Sequence, residues 1–142
     1  MARRRAYDAL SAMAGALQRS AAEPRYVRIP VHEVAAVLDR GQRLMAHLSL
    51  VRLMLADRAP EWDSALAAQT LTEAHAVVAA LLDHSAPLDP ALGRADPGDL
   101  SLLPMDGAAN DLMPWLQRRL QVLVHDARMM READIAAMAK LE

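Results

Sequence analysis

From Pro30 to Asp57 the apolar side chains return every three or four residues, and this stretch constrains the fold more than any other. Val31, Val34, Leu38, Gly41, Met45, Leu48, Arg52 and Leu55 follow a heptad-like spacing, and Val37, Leu44, Val51 and Met54 add a second apolar flank. A helix apolar over so wide an arc lies central in a bundle or shares a face with a partner. Its neighbours must also be helices. Hydrophobic residues are 54% of the 142-residue chain, yet aromatics are 3% and phenylalanine is absent. The core is therefore Ala, Leu, Val and Met, with alanine roughly a fifth of the chain, far above ordinary usage. Such side chains lose little rotamer freedom in helices, while β-branched residues are too scattered for a sheet.

The rest of the chain divides into three further helices and one long connection. A helix over about 2–22 places Tyr7, Leu10, Ala14, Leu17 and Ala21 on one face and stops at Glu23-Pro24. The second helix covers about 30–57, with Pro30 at its first position. The third covers about 60–84, opened by Pro60 with Glu61 and Asp63 in its first turn, and turns Trp62, Leu66, Ala74, Val77, Val78 and Leu81 inward. The short Arg58-Ala59 turn predicts an antiparallel hairpin of helices two and three. Pro87, Pro90, Gly93, Pro97, Gly98, Pro104 and Gly107 break the pattern over 85–110, and Asp89, Asp96, Asp99 and Asp106 make that loop acidic. A short helix is expected within it at Leu100–Leu103. The last helix, about 111–141, is capped by Asp111 and carries Leu116, Leu120, Leu123, Ala127, Met130, Ala137 and Leu141, with Asp134 interrupting. One domain results, an all-α antiparallel four-helix bundle with a long Pro/Gly/Asp-rich loop before the last helix.

Charge and composition narrow the function. A net charge of −2 argues against general nucleic-acid affinity, which needs a concentrated basic surface. The absence of cysteine removes disulfides, thiolate metal sites and cysteine nucleophiles. No segment reaches the roughly 20 apolar residues that span a bilayer, the longest run being Ala76–Leu82, and Arg3-Arg4-Arg5 leads into an amphipathic stretch instead of a signal peptide's apolar region.

The histidines His32, His47, His75, His84 and His125 form neither a Glu-x-x-His nor a His-x-x-x-His pair, so no metal site is expected. No serine lies in a Gly-x-Ser-x-Gly elbow, and His47 and Ser49 point about 200° apart on a helix. Gly93 and Gly98 sit among acids that would repel phosphate. The expectation is a protein that is not an enzyme and has no cofactor. His47 reads as an amphipathic residue at a helix contact, hydrogen-bonded near Ser49 or the first helix, and Arg52 as snorkelling or paired with a carboxylate. Trp62 and Trp115 each stand in the first turn of a helix and plug one end of the bundle. Arg3, Arg4 and Arg5 sit where a helix dipole disfavours cations; continuity with a preceding membrane span removes that penalty and places them at the cytoplasmic face.

Two segments, RRRAYDALSAMAGALQRSAAEPR and LMAHLSLVRLML, resemble the soluble C-terminal region of bacterial inner-membrane proteins of the fusaric-acid-resistance-like efflux family. The resemblance covers roughly Arg3 to Trp62 and is only general helical character beyond. It implies a cytoplasmic helical domain at the inner face of the membrane. Its partners would be the membrane-embedded part of the same polypeptide and a second copy, with a structural, regulatory or self-association role. The family offers no catalytic residues to carry over. The alternative is a free-standing helical adaptor or small-ligand sensor whose acidic loop closes over a partner.

Overall fold

The computed structural model describes residues 2–24, 30–94 and 112–141, and among them the regular structure is entirely helical. Helix α1 spans Ala2–Ala21, α2 Val31–Asp57, α3 Ser64–Leu82 and α4 Met113–Ala139; a 3₁₀ turn, Ala59–Glu61, separates α2 from α3.

Local chemistry sets these limits. Pro60 does not open the third helix, as its position had suggested, but lies in the 3₁₀ turn. Asp63 is the true cap: its Oδ1 accepts the N–H groups of Ala65 and Leu66, both at 3.0 Å, satisfying donors that the first turn leaves free. Trp62 therefore precedes α3, in extended backbone. Leu112 occupies the N-cap position of α4 without a side-chain bond, and Pro114 is accommodated in the first turn. The expected Asp111 cap, the Leu100–Leu103 helix and the rest of the loop from 95 onward lie outside the described residues.

The helices form a chain of neighbours in the order α1, α2, α4, α3. Lys140 pairs with Glu33, Met130 packs over Gly41, and Asp126 meets His47, so α4 runs antiparallel to α2. Leu10 against Gly41 and Tyr7 beside Ser49 set α1 antiparallel to α2. Trp62 meets Trp115 while His84 meets Arg131, so α3 runs parallel to α4. The predicted hairpin of helices two and three is absent: α2 and α3 are not in contact, because the 3₁₀ turn and extended Trp62 carry the chain past α2 to the far side of α4. Parallel neighbours cannot be joined by a short turn, and residues 83–112 supply the length to return.

Helix α4 is accordingly the spine. Leu116, Leu120, Leu123 and Ala127 form the centre of the core with Met113, against Leu44 and Val51 of α2 and Ala67 and Leu81 of α3. Leu81 and Leu116 are wholly buried. In α2 the line Val37–Leu44–Val51 faces α4, while Leu48, expected inside, is 46% exposed. Leu66, also expected inside, is 45% exposed. Helix α3 covers the core with one edge only. Its 19 residues have a mean hydropathy of 1.4 and are long and apolar enough to cross a membrane by length and composition, although no run of consecutive apolar residues had suggested it.

Candidate functional site

The residues singled out by sequence divide between two places. Ser49, Arg52 and the Arg3-Arg4-Arg5 cluster gather at the end of the molecule where α1, α3 and α4 begin and α2 finishes; His47 belongs to the α2–α4 seam.

At that end, Ser49 Oγ donates back to the Met45 carbonyl at 2.8 Å and lies 3.4 Å from the Tyr7 hydroxyl. The first contact occupies the serine proton within its own helix, so the Tyr7 hydroxyl is the donor across the α1–α2 contact. The Arg3 guanidinium stands 5.8 Å from the centre of the Tyr7 ring, within cation–π range. Arg3, Arg4, Arg5 and Arg52 are all exposed, so Arg52 is neither buried on the apolar stripe nor paired with a carboxylate among the described residues. One turn beyond Ser49 on the same face of α2 stands Leu53, 66% exposed and the most exposed large apolar residue among the described residues. Leu50 and Tyr7, at 37% and 43%, continue the patch. Trp62 and Trp115 close the same end, their rings 6.5 Å apart and tilted by 47°, with the Arg119 guanidinium 5.3 Å from the Trp115 ring. Every aromatic side chain among the described residues is thus at this end.

In the seam, His47 Nδ1 lies 2.5 Å from Asp126 Oδ2. A carboxylate only accepts, so Nδ1–H donates. Asp126 is buried and His47 reaches it from a partly open edge. The hydrogen bond expected for His47 exists, but to α4 and not to α1. The spacing of Asp126 from its neighbour His125 puts the two on different faces of the helix and gives no partner for either; the signal for Asp126 was its place in register with the Leu123–Ala127 core line.

Sequence reasoning also missed two buried arginines. Arg128 donates to the carbonyls of Asp89 and Leu92 and to Glu132 Oε1 at 2.9 Å. Arg131 donates to the Ala86 carbonyl at 3.2 Å and to His84 Nδ1 at 2.5 Å. Asp134 Oδ2 lies 3.1 Å from the same His84 nitrogen. One nitrogen cannot accept and donate together: on a neutral ring it accepts a hydrogen bond from the Arg131 N–H, and on a charged ring it donates to Asp134 Oδ2. Together the two guanidiniums hold residues 84–92 as an arch over α4, closed by Gly93 at φ +70°. Between this arch, α3 and α4 lies a cleft of about 660 Å³ with an apolar floor of Val77, Leu120 and Val124 and a polar rim that includes Glu73, Arg94 and Gln121.

Among the described residues no group of three or more His, Asp or Glu side chains could hold a metal ion. No family model, curated protein or solved structure matches this chain.

Proposed function

We propose that the chain is a helical domain at the cytoplasmic face of a bacterial inner membrane, belonging to an efflux-type transporter and serving a structural, regulatory or self-association role without catalysis. The observation that carries this reading is the exposed Arg3-Arg4-Arg5 cluster beside the exposed Leu53 and Tyr7. Basic residues next to amphipathic aromatics are what the cytoplasmic membrane interface selects. The resemblance of the segments from Arg3 to Trp62 to the fusaric-acid-resistance-like family points the same way. The partner is then the membrane-embedded part of the same polypeptide. A second copy could lie along α3, which among the described helices packs against α4 alone.

The cleft favours a second reading, a free-standing helical adaptor or small-ligand sensor, because its apolar floor and polar rim have the make-up of small-molecule sites.

Immunoblotting of fractionated host cells with an antibody to this domain separates the two. The transporter reading expects a band several times larger than 15.5 kDa that leaves the membrane only with detergent. A soluble band at 15.5 kDa overturns it.

A further inference from the structure

We infer that the patch formed by Arg3, Arg4, Tyr7, Leu50 and Leu53 is a docking surface for an anionic lipid bilayer, so that this domain lies against the membrane instead of only hanging from it. The inference deepens the membrane-face reading and rests on it for the presence of a bilayer.

The patch spans the neighbouring helices α1 and α2. Tyr7 and Ser49 touch across the α1–α2 contact, Arg3 stacks over Tyr7, and Leu53 stands one helical turn beyond Ser49. Leu53 and Leu50 offer apolar groups that water solvates poorly, and Tyr7 offers a ring with a polar tip suited to headgroup depth. Arg3 and Arg4 supply charge that an anionic leaflet attracts. Apolar and cationic groups together on one surface are what interfacial binding requires, since burial and electrostatic attraction both contribute.

Other occupants fit less well. Nucleic acid calls for a basic surface without projecting leucines, on a chain that here carries a net charge of −2. A second copy meeting the same patch across a two-fold axis would set arginine against arginine. Among the described residues, the large exposed apolar side chains Ile135, Met138 and Leu141 lie on or just past the last turns of α4, at the opposite end; there Glu33 and Lys140 pair with each other.

The test is co-sedimentation of the intact 142-residue chain with vesicles of phosphatidylglycerol and phosphatidylcholine, and of phosphatidylcholine alone. The expected result is binding to the anionic vesicles that falls steeply with salt and is at least tenfold weaker on neutral ones. Arg3→Gln with Arg4→Gln, and separately Leu53→Ser, should each weaken it about tenfold, with unchanged helical circular dichroism. Met138→Ser, at the far end, should leave it unaltered. The inference is overturned by absence of binding to anionic vesicles, by binding indifferent to both patch variants, or by equal salt-sensitive binding to a single-stranded oligonucleotide. A large membrane-bound band in host cells combined with no vesicle affinity would remove the docking surface and leave the transporter reading standing.

Discussion

His47 of α2 and Asp126 of α4 are 79 residues apart and meet at 2.5 Å, a side-chain contact across the central seam of the fold with its carboxylate buried. The two partners are unequally placed: the Asp126 side chain is 5% exposed and that of His47 28%. Removing one is therefore not equivalent to removing the other. His47→Leu strands a carboxylate among Leu123, Ala127 and the α2 backbone and should cost about 2–3 kcal/mol. Asp126→Leu leaves an imidazole able to reach water and should cost less, and the double replacement should recover much of the loss. Urea unfolding of the three variants checks the order; equal single-variant costs would show that the pair acts only as a packing contact.

Gly93 and Gly41 are both tight, yet they should respond differently to alanine. At Gly93 the backbone has φ +70°, and a Cβ would lie 2.9 Å from Leu81 and 3.1 Å from Val124. Leu81 is wholly buried and has nowhere to go. Left-handed strain and crowding together predict a loss of about 2–3 kcal/mol for Gly93→Ala. At Gly41 the nearest atom, 2.7 Å away, is the far end of the partly exposed Leu10 side chain, which can rotate. The helix propensity gained, up to about 1 kcal/mol, should make Gly41→Ala nearly neutral. Thermal denaturation distinguishes the two.

These contrasts mark where sequence was and was not legible. The periodicity of Leu116, Leu120, Leu123 and Ala127 identified a core line in α4 because burial imposes it directly. The limits of α1 and α2 were legible for the same local reason, Pro24 and Pro30 acting on their own backbone. The α2–α3 hairpin was misread because turn length alone does not reveal direction: Asp63 capping delays α3 by one turn and lets the chain leave α2. Arg52 and Leu48 shared the apolar spacing but are exposed on α2. Asp126, Arg128 and Arg131 find their partners far along the chain, in His47 and in the carbonyls of residues 86–92. Long-range partners leave no spacing to read.

The arch over α4 depends on Arg128 more than its length suggests. Its buried guanidinium donates to the Asp89 and Leu92 carbonyls, so Arg128→Met should leave the Leu92 carbonyl without this donor and the Asp89 carbonyl with only the Leu92 N–H at 3.2 Å. A loss of about 2 kcal/mol is expected, concentrated in the arch. Limited proteolysis should then cut within 85–94 first, and amide exchange of α2 should change little. Exchange rising equally in all helices would show instead that Arg128 supports the whole core.

Acid should loosen the end of α4 before it unfolds the molecule. Lys140 donates to Glu33 and holds that carboxyl below its ordinary value of 4.5, the hydrogen bond being the main cause and the ammonium charge a smaller one. A depressed carboxyl contributes stability that is complete above the unfolded-state value and lost as pH falls through the folded-state value. The tie is therefore at full strength at pH 6 and should vanish below the ordinary glutamate range. Lys140 is open to solvent and Glu33 partly so, so the effect is modest and weakened by salt. Thermal melts of the native chain and of Glu33→Gln should differ slightly at pH 6 and converge toward pH 3. A gap between the two melts that persists unchanged at pH 3 would mean that Glu33 acts through something other than its charge.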